Sequence, residues 1–204
     1  VVLGLAVMYR YGPCRADAAS LKYLIPHTET IGGQKDSVII YYARMFEYNN
    51  TADTALKILE NIKTPTFDFY NIKANCFKGS DFPQALELYK KALETTTDKD
   101  PGQKAIAWNN LAQLIFDHKQ TTLYNEAIEY CKSALKIRPY HQFPYPGDLL
   151  ILFTIYNSSQ ETVKENIENI LKTYNINKNA LPPLIDKIDS PEKKAELQKI
   201  MGGA

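Results

Sequence analysis

The side chains in this sequence best suited to proton transfer or nucleophilic attack are three histidines and three cysteines. His27, His118 and His141 all fall where turns are expected, and each reads as an exposed turn residue rather than a general base. Cys76 and Cys131 occupy apolar positions of helical patterns, where a thiol behaves as a small buried hydrophobe. Cys14 stands beside Arg15, whose charge favours the thiolate, but no base is paired with it. An odd, sparse cysteine set is not a disulfide framework. It suits a reducing compartment such as the cytoplasm, with a periplasmic or membrane-tethered setting left open. There is no CxxC and no Cys/His cluster, so no metal site is expected. Phosphate loops, GxGxxG, GxSxG and HExxH are absent as well. The expectation is no catalytic residue, no cofactor and no small-molecule substrate. Asn49-Asn-Thr51 and Asn157-Ser-Ser159 match the glycosylation acceptor pattern, at a frequency chance explains in a chain this rich in Asn, Ser and Thr.

Charge argues against a nucleic-acid partner. The net charge is +1, and acidic and basic side chains balance along the whole chain. No segment carries the basic excess that neutralising phosphates requires. Lys90-Lys91 and Lys193-Lys194 are isolated pairs that read as solvated helix faces. At 204 residues and 45% hydrophobic content, the chain can bury a core without metal or disulfide support. Val1 to Met8 is an apolar run too short for a membrane span, which needs about 20 residues. It reads as a buried first helix, or as the edge of a span if the chain is a fragment.

The apolar residues recur at helical rather than strand spacing. In the stretch from Asp81 to Glu94, Phe82, Ala85, Leu86, Tyr89, Ala92 and Leu93 form one face. Ser80 or Asp81 can cap it, and Pro83 sits in the first turn, where a missing N–H costs little. Trp108, Leu111, Ala112 and Ile115 make a second stripe. Tyr124, Ala127, Ile128, Cys131, Ala134 and Leu135 make a third, which ends before Pro139. Helix pairs are therefore expected at about 67–78 with 82–96 and 104–117 with 123–137, with no sheet.

The run from Phe69 to Glu94, and the runs from Trp108 to Leu114 and from Tyr124 to Pro139, resemble tetratricopeptide repeats. That pattern has Trp, Leu and Gly on a first helix, then Tyr, then Ala, an aromatic, Ala and a closing Pro. Phe69, Ile72, Phe82, Ala85, Tyr89 and Ala92 match it in one copy. Trp108, Leu111, Ala112, Tyr124, Ala127, Cys131, Ala134 and Pro139 match it in the next. The two copies lie 39 residues apart from Phe69 to Trp108, against a family period of about 34. The excess falls in the polar stretch Thr95–Lys104 and the turn Lys119–Leu123. A looser copy spans 36–65, with Ile39, Tyr42, Ala43 and Phe46 followed by Ala55, Leu59 and Ile62. A rough one spans 1–30, with Val2, Leu5, Ala6 and Tyr9 followed by Ala18, Leu21 and Ile25.

The resemblance implies an all-α fold, a right-handed superhelical array of antiparallel helix pairs. Residues 1–140 would hold the repeats. Residues 141–204 would hold a divergent pair and closing helices. There, Tyr140–Gly147 is expected to be a loop, and Asp148 can cap a helix to about Tyr156. Gln160–Tyr174 is amphipathic through Val163, Ile167, Ile170 and Leu171. Leu181–Ile188 and Pro191–Ile200 read as short closing helices. Glu192, Lys193, Lys194, Glu196 and Lys199 would give the stack a polar outer face.

By the same resemblance, the first helix of each pair lines a concave groove that binds a protein or peptide. The groove positions carry across to Arg44, Tyr48, Tyr70, Asn71, Phe77, Asn109, Asn110, Gln113 and Phe116. Aromatic rings supply contact area and amides grip a peptide backbone. Asn71 and Asn110 also match positions of the carboxylate clamp that some members use. Tyr70, Ala74, Asn109 and Gln113 stand where that clamp needs charge or further Asn, so clamping is not expected. The resulting expectation is a non-catalytic scaffold or adaptor. The alternative is the soluble repeat region of a larger membrane protein, such as a bacterial glycan polymerase, ligase or oligosaccharyltransferase.

Overall fold

The computed structural model describes residues 35–202, and these are helical with no strand among them. The expected copy over 1–30, with Cys14, His27 and the Val1–Met8 run, lies outside the described residues. The chain divides into two compact units, one up to Thr95 and the other from Thr96.

The first unit holds α1 (Lys35–Tyr48), α2 (Ala52–Leu59), α3 (Phe67–Phe77) and α4 (Phe82–Glu94). The pair α3–α4 follows the sequence expectation to within two residues. Thr66 caps α3 by accepting from the Phe69 amide, and Asp81 caps α4 by accepting from the Gln84 amide at 3.0 Å. Both caps satisfy amides that have no partner inside the helix. Helices α1 and α2 pack together, as do α3 and α4. Ile40, Ala43, Leu59 and Ile72 form a core cluster with Ile58, Ile62 and Phe69 against it. Ala74, Ala85 and Ala92 are completely enclosed. With no side chain beyond Cβ, they let helix backbones approach closely.

The second unit holds α5 (Pro101–Asp117), α6 (Tyr124–Ile137), α7 (Tyr145–Asn157), α8 (Val163–Thr173) and α9 (Pro191–Gly202). Short 3-10 turns cover Thr121–Leu123, Lys178–Ala180 and Pro182–Lys187. Helix α7 lies between two apolar clusters. Its Leu149, Leu150 and Phe153 join Ala112, Ile115, Tyr124, Ala127, Cys131 and Leu135 of α5 and α6. Its Ile151, Leu152 and Ile155 join α8, the Pro182–Lys187 turn and α9 through Ile167, Leu171, Leu184, Leu197 and Ile200. An apolar residue on every side of a 13-residue helix is thereby accounted for as burial in a core. No helix among the described residues is long and apolar enough to cross a membrane.

Helices α1, α5 and α8 stop in the same way. Asn50, Lys119 and Asn175 adopt left-handed backbone with φ of 57°, 51° and 52°. The amide of the next residue reaches back to a carbonyl in the last turn: Thr51 to Phe46, Gln120 to Ile115 and Ile176 to Leu171. This is the Schellman arrangement, which satisfies carbonyls the helix leaves open.

The structure corrects four expectations. Helix α5 begins at Pro101, inside the stretch read as a polar spacer, because a proline at the first helical position loses no hydrogen bond. Helix α7 begins at Tyr145, so Pro146 and Gly147 are first-turn residues and not loop. Asp148 is not its cap but accepts a 3.0 Å hydrogen bond from the Tyr140 hydroxyl. By contrast, the Leu181–Ile188 segment holds a short helix, of 3-10 type over Pro182–Lys187, where Pro182 and Pro183 bring no amide hydrogen. Finally, Glu196, expected on a polar outer face, is buried with 4% exposure.

Candidate functional site

In the first unit, the proposed binding residues come from α1 and α3. Arg44 is not free to meet an anion: its guanidinium donates to the Asp68 carboxylate across the two helices. The Nε of Arg44 is buried and has no hydrogen-bond partner among the described residues. One turn on, Glu47 is half-buried, and desolvation raises its carboxyl above the ordinary value. Lys78, Arg44 and a hydrogen bond from Asn75 oppose that shift. The hydroxyl of Tyr89 on α4 also donates to Asn75, so α4 holds the amide that serves Glu47. Tyr48 ends α1 and is 74% exposed. Tyr70 is half-buried and meets Phe69 edge-on at 5.1 Å. Phe77 is also half-buried, while Asn71 is buried.

The second unit treats its share differently. Gln113 donates to Asp117 one turn later at 2.6 Å. Asn109 and Asn110 are half-buried, and the side-chain oxygen of Asn109 is enclosed without a hydrogen-bond partner among the described residues. Phe116 belongs to the packing: its ring meets Phe153 at 5.6 Å and Tyr156 at 6.2 Å, both edge-on. Arg44, Asn71 and Phe116 are thus expected contact residues that the fold itself takes up.

No family model, curated protein or solved structure matches this chain.

Reactive groups offer little nucleophilic character. Desolvation, with Glu47 and Asp53 adding repulsion, pushes the Cys76 thiol up to about 11. Cys76 is half-buried and not fully enclosed, a correction to its expected core position. Cys131 is completely buried, and desolvation carries its thiol far above the usual range. Neither thiol ionises near neutral pH, and a thiolate is what attacks. His141 is exposed in the turn before α7, as expected, whereas His118, which ends α5, is half-buried and not an exposed turn residue. Among the described residues no group of acidic, histidine or cysteine side chains is arranged to hold a metal ion.

Two polar groupings escaped the sequence reading. The Asp189 carboxylate accepts from Lys119 and, at 2.6 Å, from the Tyr156 hydroxyl. These hydrogen bonds hold its carboxyl down to about 2, while desolvation and the Asp189 bond push the Tyr156 hydroxyl up to about 12. The second is Glu196 with Lys193 on α9, at 3.1 Å. Asp189 lies 70 positions from Lys119, and no local pattern announces a pairing at that distance.

Proposed function

We propose that the chain is a non-catalytic scaffold of tetratricopeptide type that holds a segment of another protein on its first-helix faces. The observation that carries the reading is the burial pattern. Ala85 and Ala92 in one copy, and Ala127 and Ala134 in the other, are completely enclosed. Those are the positions where the resemblance asks for small residues between close-packed helices. The finer architecture, a right-handed superhelical stack, belongs to the same proposal. In the first unit, Tyr48 and Tyr70 are the contact residues of choice. Tyr48 is a large ring left mostly in water, and rings of this kind anchor protein interfaces. Neighbouring Arg44, Glu47, Asp68 and Lys78 balance in charge, so binding should depend only modestly on salt.

The test is affinity capture followed by titration of each captured protein, with Tyr48→Ala plus Tyr70→Ala set beside Glu87→Ala plus Lys91→Ala on α4. Loss of at least tenfold in affinity is expected for the tyrosine variant alone, about what truncating one interface hot spot costs. If the folded tyrosine variant keeps its partners and the α4 variant loses them, the binding face is the second-helix side and the proposal fails.

A further inference from the structure

Helix α9 is fastened at one end and poorly matched along its body. At its start, Asp189 is pinned by Tyr156 and Lys119, and the Asp189 amide donates back to the Tyr156 hydroxyl at 3.2 Å. Ser190 then caps the helix by accepting from the Lys193 amide at 3.3 Å. Beyond this hinge, α9 buries Glu196, Leu197 and Ile200. Glu196 is the anomaly. Its side chain keeps 4% exposure, one carboxylate oxygen meets Lys193, and the other is enclosed with no partner among the described residues.

The position of Lys193 decides what this costs. It lies on the same helix three residues away, so the pair can form whether or not α9 is docked. Docking therefore gains little from the ion pair, yet it strips water from the carboxylate. Among the polar contacts of this pair, only the 3.3 Å bond from the Lys193 ammonium to the Ser158 carbonyl depends on docking. Leu197 and Ile200 favour the closed state, and Glu196 opposes it.

We infer that α9 is a strap that opens about a hinge at Asp189 without unfolding the rest of its unit, and that Glu196 sets how often it does so. Opening uncovers the apolar surface that Leu197 and Ile200 share with Ile155, Val163 and Leu184. The hinge contacts keep the freed helix beside that surface, so it recloses without searching for it.

Native-state hydrogen exchange on the whole chain tests this. A detached 12-residue helix is marginal in water, so its amides exchange on opening. The amides of α9 should exchange roughly a hundredfold or more faster than those of Leu149–Ile155, as local opening requires. In Glu196→Leu, α9 exchange should slow by about tenfold or more, because a buried carboxylate is replaced by an apolar group. Equal protection of α9 and α7 in the unaltered protein would overturn the strap. Unchanged or faster α9 exchange in Glu196→Leu would overturn the role given to the carboxylate.

Discussion

Replacing Gly147 by alanine adds one methyl group and should unsettle the start of α7. A Cβ built there lies 2.4 Å and 2.8 Å from two carbons of the Tyr140 ring and 3.1 Å from the Ile176 methyl. The ring has to move, and it carries the hydroxyl that donates to Asp148. Overpacking costs about 1–3 kcal/mol. A weakened hydrogen bond to a charged group adds about 1.5–3 kcal/mol. Against these, alanine gains up to about 1 kcal/mol over glycine in a helix. The balance is a loss of about 1.5–6 kcal/mol, drawn from the ranges just given. For a chain of this length that lowers Tm by roughly 3–24 °C. The contrast is Gly102→Ala, also in a first turn, whose Cβ meets only the tip of the Arg138 guanidinium at 2.6 Å. That tip can swing aside, so Gly102→Ala should gain about 0.5–1 kcal/mol. Urea denaturation followed by helical circular dichroism reads both. In a Tyr140→Ala background, Gly147→Ala should lose most of its cost, a coupling of about 2 kcal/mol. If Gly147→Ala proves neutral or stabilising like Gly102→Ala, the Tyr140 ring does not lie over Gly147 and the reasoning is refuted.

Other consequences can be checked with the same preparations. Phe153→Ala should cost about 3–5 kcal/mol, since this fully buried ring meets Phe116 and Tyr124 and leaves a cavity, which a shifted denaturation midpoint reads directly. Because the folded carboxyl of Asp189 titrates near 2, below its ordinary value, its contribution is present above the unfolded value and lost as pH falls towards about 2. Denaturation midpoints between pH 5 and pH 2 should therefore fall less steeply in Asp189→Asn, while parallel profiles would show no coupling. With Cys14 replaced by serine, thiol labelling of Cys76 should still be accelerating at pH 10, in keeping with a thiol near 11, and Cys131 should react only as fast as the protein unfolds.

Helices whose apolar stripes and caps are local were legible. Asp81 with Pro83, and the alanines of α4 and α6, located both pairs without reference to anything distant. What escaped was decided by partners far along the chain. Gly147 and Pro146 read as loop residues, but the Tyr140 ring and Ile176 close over this turn and make it helix. Lys119 gave no hint of a left-handed stop, whereas Asn50 and Asn175 are residues that tolerate one. Glu196 looked like part of a solvated charge pattern until α9 docked on its unit. The contact residues divide along the same line. Tyr48 is open as expected, but Phe116 packs on rings of α7 that its own helix could not foretell.

The two-sided burial of α7 sets a problem of timing when the chain is made. The buried residues that pack with Leu149, Leu150 and Phe153 are already synthesised when α7 emerges, whereas Ile151, Leu152 and Ile155 wait for residues between Val163 and Ile200. At about 5–20 residues per second, translation leaves that second face bare for several seconds. A ribosome stalled once α7 has cleared the exit tunnel, with the chain beyond it still enclosed, would present a half-covered, strongly apolar helix, the kind of surface that holdase chaperones recognise and that self-associates when they are scarce.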